Sequence, residues 1–158
     1  MKKIFLIFPL LFMISCGYTP IYSLKESNYK VISFKKNVNN NLTDYIENSI
    51  NVLSNENANK NLNIIFDFKE NISVILKDSK GDPSRNRLKI TVDLSLLDES
   101  QNLITSKVFE ENLEYNVDDN KFNLRQYEKN IKQNLVEEIT QQMLLYLANV
   151  KWLLKPLK

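Results

Sequence analysis

Between Leu62 and Leu76 every even position but one is apolar. The apolar ones are Leu62, Ile64, Phe66, Phe68, Ile72, Val74 and Leu76, with Glu70 as the one interruption. A period of two places them all on one face of a β-strand and commits that face to a core. At about 15 residues the run is long against the five or six of an ordinary strand. Either the strand projects beyond its core, or it bends near Glu70 and Asn71. A turn follows over 78–85, with Gly81, Asp82 and Pro83 at its centre. Leu88, Ile90, Val92, Leu94 and Leu96 then repeat the alternation, and 98–102 turns the chain again. The fourth strand, 103–116, alternates less cleanly. Ile104 and Val108 share one parity, and Phe109, Leu113 and Tyr115 share the other. A bulge that shifts the register would reconcile them.

Helical spacing flanks this β-rich centre. Leu42, Tyr45, Ile46, Ile50 and Leu53 share one helical face, and Asn39, Asn40 and Asn41 supply N-cap candidates. Asp44 and Glu47 lie early, where the helix dipole favours negative charge. This predicts a first helix over 41–54. Leu124, Tyr127, Ile131, Leu135, Ile139, Met143, Leu147 and Val150 predict a second over 122–152, with Asn123 and Gln126 as an amide-type capping box. Tyr29 to Phe34, rich in β-branched and aromatic residues, predicts a first strand. The order is β-α-β-β-β-α. Three consecutive strands with short turns form an antiparallel meander. The helix between the first two strands permits a parallel crossover. Two amphipathic helices on one apolar sheet face make an α+β fold, a two-layer sandwich with a four-stranded, mostly antiparallel sheet.

The first 28 residues read differently. Lys2 and Lys3 precede an apolar run from Ile4 to Ile14, broken only by Pro9, and Ser15 gives the small residue a cleavage site needs. About 11 apolar residues fall short of the roughly 20 that span a bilayer, so the segment reads as a secretion signal. Met13-Ile14-Ser15-Cys16 resembles the bacterial lipobox, in which the cysteine is acylated and becomes the first mature residue. Cys16 is the single cysteine of the chain. An unpartnered thiol is awkward in an oxidising compartment, whereas an acylated one is not. One acyl chain binds a membrane marginally and stable anchoring takes more. The lipoproteins this resembles carry several on that residue. The expected organisation is a signal peptide over 1–15, a lipidated cysteine and tether over 16–28, and one α+β domain over 29–158.

Composition narrows the function. The 158 residues less the first fifteen leave 143, enough for one domain. Two of the 21 Lys and Arg lie in the leader, which leaves 19 against 19 Asp and Glu. A neutral domain argues against binding nucleic acid, which needs a basic face. With no histidine and a single cysteine, His-based catalysis, thiolate metal sites and disulfides are excluded. Gly17 and Gly81 are the only glycines, so no phosphate-cradling glycine loop exists. No cofactor, no metal site and no catalytic residue is expected, and the protein is expected not to be an enzyme.

Cys16-Gly17-Tyr18-Thr19-Pro20-Ile21-Tyr22 resembles the mature start of the LptE family of lipopolysaccharide-assembly lipoproteins, alphaproteobacterial members in particular. These begin Cys-Gly-aromatic-x-Pro-apolar-Tyr. The likeness continues weakly through Arg85 or Arg87, Asp98 and Tyr115-Asn116, and the element order matches that family's fold. Gly17 is compatible with outer-membrane sorting, since aspartate at this position retains enteric lipoproteins in the inner membrane. The resemblance implies a non-enzymatic role on the periplasmic side of the outer membrane. There the protein would bind and help assemble the LptD β-barrel translocon and support delivery of lipopolysaccharide to the outer leaflet. The domain would sit largely in the barrel lumen, where a long hairpin fits.

Two groups of residues are candidates for contacts. Lys77, Lys80, Arg85 and Arg87 flank the turn between the second and third strands. Arginine's planar fork suits phosphate and lysine supplies a point charge, so they could meet lipopolysaccharide or acidic groups on the barrel wall. The plainer reading is a solvated turn that offsets Asp78 and Asp82. Trp152, Leu153 and Leu154 could dock on a partner or on lipid, or fold back on their own domain. Lys69 is a weaker candidate on the odd face. Asp67 and Asp93 could form an acid pair, although nothing in their spacing requires them to meet. Rival readings are an auxiliary lipoprotein of a phospholipid-transport or barrel-insertion complex, and a small hydrolase built on Ser/Lys or paired carboxylates.

Overall fold

The computed structural model describes residues 29–150. Cys16, the tether, and Trp152, Leu153 and Leu154 lie outside the described residues. Six elements follow in the expected order: β1 (Lys30–Lys36), α1 (Asn41–Asn51), β2 (Asn61–Lys77), β3 (Pro83–Leu97), β4 (Leu103–Asn116) and α2 (Lys121–Asn149). The sheet order is β1-β2-β3-β4. β1 runs parallel to β2 through the α1 crossover, and the other pairs are antiparallel.

One layer is the helix-facing side of this sheet, and the core forms beneath the helices. Leu62, Ile64, Phe66, Leu88, Ile90, Val92, Leu94 and Leu96 are buried, as the alternation requires. From α1 come Ile46 and Ile50, and from α2 come Ile131, Leu135, Val136, Ile139, Met143 and Leu147. Burying such side chains stabilises the fold by roughly 1.5–3 kcal/mol each.

Both helices are capped by asparagine. Asn40 accepts from the Leu42 and Thr43 backbone N–H groups, and the Thr43 hydroxyl accepts from the Asn40 N–H to close a capping box. For α2 the cap is Asn120, which accepts from Phe122 and Asn123 N–H. The expected Asn123 cap is therefore corrected by three residues, because the chain leaves β4 with little linker. Tyr45 and Tyr127 also depart from their stripes. They are 46 % and 49 % exposed, and Tyr127 meets the buried Tyr115 ring only edge-on.

The long strand does not bend at Glu70. Pairing with β3 is unbroken from Asn63↔Leu97 to Val74↔Asn86. Glu70 sits opposite Ile90 and forms an ion pair with Lys132 of α2 at 2.5 Å. The register shifts farther out, past Val74, where Leu76 comes to stand opposite Arg85. Directly opposed residues share a sheet face, so Leu76 leaves the face that parity assigned to it. A second shift lies between Leu96 and Leu97, where Ile104 is the extra residue on β4. This is the bulge the mixed parity called for. It lets Ile104 join Phe109 and Tyr115 on the core, while Val108 stays 58 % exposed.

The two ends of the molecule differ. At one end Tyr29 enters, its carbonyl accepting from Asn55 N–H, and Lys30 pairs with Asn61. The β3–β4 turn meets this end through Asn63 Nδ2, which donates to the Asp98 carbonyl, and Asn61, which bonds Glu99. The last turns of α2 arrive here too, where Tyr146 bonds Thr105. At the other end lie the β2–β3 turn, the close of β4 and the start of α2, with Val117 N–H on the Ser84 carbonyl.

Candidate functional site

At the end remote from Tyr29, β2 runs on past β1, while β3 and β4 stay paired as far as Arg85 and Asn116 beside the first turns of α2. β2 is 17 residues long, a span of about 55 Å at 3.3 Å per residue. β1 pairs with it only as far as Phe66. Beyond Phe68 every residue of β2 is exposed, including Ile72, Val74, Ile75 and Leu76 at 40–54 %. Leu88 is fully buried in the middle of this region, while its cross-strand neighbours Ile72 and Leu113 are each more than 40 % exposed.

Asp78 organises the tip. Its carboxylate accepts from the Lys80 and Asp82 N–H groups at 2.8 and 2.9 Å. Its own N–H donates to the Asp82 carbonyl at 2.8 Å. Gly81 takes φ 89°, a backbone shape that glycine adopts without strain. The turn is thus held by the Asp78 carboxylate and by its own backbone, with no part taken by the flanking side-chain cations.

The four predicted cations divide. Lys77 and Lys80 make no ion pair among the described residues, and Arg85 makes one hydrogen bond, from Nε to Asn116 Oδ1 at 3.3 Å. Arg87 is held by Glu114 at 2.5 Å. Lys77, Lys80 and Arg85 therefore offer charge at the tip, whereas Arg87 belongs to a cross-strand ion pair. Arg87 continues a row on the open face that includes Lys89–Glu110 and Lys69–Asp93.

Asp67 and Asp93 do meet, as direct register partners on that face. Like charges directly opposed destabilise a sheet. Lys69 relieves this by bonding Asp93 at 2.5 Å, and the hydrogen bond and field of Asp93, aided by Asp67, raise the Lys69 pKa. The three form a surface ion cluster.

A second basic surface escaped the sequence reading. Arg125, Lys129 and Lys132 of α2, with Glu128 among them, line a cleft of about 440 Å³ whose other wall is Asn41 and Leu42 of α1. Lys132 is engaged by Glu70, while Arg125 and Lys129 make no ion pair among the described residues. Their spacing of four and three residues on one helix was the available signal. The pairing of α1 against α2 was not.

No family model and no curated protein matches the chain. Solved structures do. A minor lipoprotein from Acinetobacter baumannii superposes with a TM-score of 0.61 at 16 % identity, over 77 % of this chain and 92 % of that one. The rare lipoprotein B from Shewanella oneidensis gives 0.56 at 12 % identity, over 77 % and 98 %. Lipoprotein B from Nitrosomonas europaea gives 0.57 at 12 % identity, over 75 % and 83 %. The chain shares the fold of these small bacterial lipoproteins.

Proposed function

We propose that this protein is a lipid-anchored envelope lipoprotein of the LptE kind, which acts by binding and not by catalysis. It would sit on the periplasmic side of the outer membrane through Cys16. Its proposed partner is an LptD-like β-barrel, and its role is to support assembly of that translocon and delivery of lipopolysaccharide. The observation that carries the reading is the β2–β3 hairpin, whose β2 arm runs on past the end of β1. It reaches away from the end at which Tyr29 joins the anchor segment, and it displays apolar side chains and unpaired cations. An extended element of this kind suits insertion into a lumen, where both of its faces find a wall. The fold shared with bacterial lipoproteins and the position of Cys16 after an apolar leader support the anchor.

The cations at the tip, Lys77, Lys80 and Arg85, suit lipopolysaccharide phosphates or acidic groups of the barrel wall. Affinity purification of the full-length lipoprotein from detergent-solubilised outer membrane tests the partner. Stoichiometric recovery of the large β-barrel of the lipopolysaccharide translocon is expected. Recovery of a phospholipid-transport or barrel-insertion complex in its place, or of no partner, overturns the assignment. Cys16→Ala is expected to leave a precursor that fails to fractionate with outer membrane.

A further inference from the structure

The outer edge of β2 is a ladder left half built. β1 stops at Lys36, opposite Phe66. The next outward-facing backbone groups, those of Phe68, are met by a side chain. Phe68 N–H donates to Asn37 Oδ1 at 2.8 Å, and Asn37 Nδ2 donates to the Phe68 carbonyl at 3.1 Å. The Asn37 amide thus takes the place of one more residue of a neighbouring strand. Register with β3 stays unbroken to Val74. Residues two apart in a strand point their backbone groups the same way. Glu70, Ile72 and Val74 therefore direct their N–H and C=O groups to the same side as Phe68, where no strand lies among the described residues.

Exposed edges are ordinarily guarded by charge, proline or bulges. β4, the other edge of the sheet, carries Lys107, Glu110, Glu111 and Glu114. The β2 edge from Asn71 to Val74 carries no charge, no proline and no bulge, with Glu70 before it and the register shift and Lys77 after it, and Ile72 and Val74 are more than 40 % exposed beside it. We propose that this edge accepts an extended segment of a different protein by strand addition. That segment would have apolar side chains at alternate positions facing Ile72 and Val74, and small or polar ones beside Asn71 and Ser73. A second copy of this chain is the weaker occupant. Pairing over so few residues buries far less than the roughly 1,200 Å² of a stable interface, so the strand must come from a body held by further contacts.

Proline separates this role from a structural one. The Ile72 N–H points outward, so Ile72→Pro removes no bond to β3, and edge strands tolerate proline there. Ile72→Ala keeps the N–H and loses the same side-chain bulk. The test is performed in cells carrying the full-length protein with a photo-crosslinking benzoylphenylalanine at Asn71, followed by mass spectrometry of the adduct. The expected result is an adduct to one foreign segment. Ile72→Ala should retain it, and Ile72→Pro should reduce it about tenfold or more, the effect of a lost hydrogen bond and a blocked approach. In the isolated protein the Glu70, Ile72 and Val74 amides should exchange rapidly with solvent, and in the complex slowly. An adduct insensitive to Ile72→Pro, an adduct to another copy of the chain, or no adduct overturns the proposal. A proline-sensitive adduct to a protein other than a β-barrel sustains the edge and removes the LptD assignment. A copurifying barrel with a proline-insensitive adduct does the reverse.

Discussion

Glu70 of β2 and Lys132 of α2 form an ion pair at 2.5 Å, at the one position where the apolar alternation of β2 is broken. Across the sheet Glu70 lies beside Ile90, whose other neighbour is Glu111, itself bonded by Gln142 of α2. Two acids thus flank a fully buried isoleucine, and each is tied to the same helix. On β2 they mark where burial stops, whereas on β4 Tyr115 stays buried farther out against Tyr127 and Glu128 of α2.

Removing one partner of that pair should cost little. Both side chains retain about 30 % exposure, so water and salt screen the attraction. Lys132→Ala is expected to lower stability by less than about 1 kcal/mol. Glu70→Leu should leave urea stability unchanged or slightly higher while joining Ile72 to the apolar core. Its cost should appear as aggregation, read by light scattering, because the charge that separates core from edge is gone.

Asn37 makes two hydrogen bonds to the backbone of a residue 31 positions away. Asn37→Asp keeps the acceptor for Phe68 N–H but replaces the donor with an oxygen facing the Phe68 carbonyl. Asn37→Ala removes both bonds at an exposed position, with an expected loss of about 1 kcal/mol by urea titration. Asn37→Asp should be no better than alanine. In both variants the Phe68 amide should exchange faster.

The contrast between core and hairpin is testable within one sheet. Ile90 is fully buried and Ile72 is 43 % exposed, in adjacent strands and on the same face. Ile90→Ala should cost about 3 kcal/mol, through lost burial and the cavity left behind. Ile72→Ala should cost under about 1 kcal/mol, since water already reaches it. Equal losses at the two sites would mean that the hairpin is covered in the free protein.

What could be read from residues alone followed the distance over which each feature acts. Alternation in β2 and β3 is local, and it identified the strands, their buried face and the layer that must cover them. The β4 bulge was legible as a clash of parities between Ile104 and Phe109. The extent of β2 beyond its outer neighbour was not, because it depends on where β1 stops. Asn37 looked like any loop asparagine until Phe68 was placed beside it. Leu76 obeyed the alternation in sequence and lost its face to a register shift in β2. Arg87 could not be told from Arg85 until Glu114 was set opposite it. Lys77, Lys80 and Arg85 were recognisable as tip cations because the turn residues Asp78, Gly81 and Pro83 declared the tip.

Tyr29 supplies a prediction about alkaline pH. Its ring is 1 % exposed at the point where the described chain begins, and its hydroxyl meets no partner among the described residues. Burial raises its pKa from the ordinary 10.0 to about 12. The folded protein therefore holds this proton more firmly than the unfolded chain does. Stability from this group is complete below pH 10 and falls as pH rises from about 10 to 12, because the unfolded chain ionises first. Across that window the decline attributable to Tyr29 is about 2–3 kcal/mol. Tyr115, whose pKa rises to about 12 through burial and then its bond to Glu128, acts in the same direction. Tyr29→Phe should flatten the decline without removing it. Near pH 7 the variant should match or exceed the parent, since it discards a buried hydroxyl that lacks a bond. Urea titrations of both proteins between pH 8 and about 11 measure the difference. Parallel curves would mean that the phenol is solvated in the folded protein.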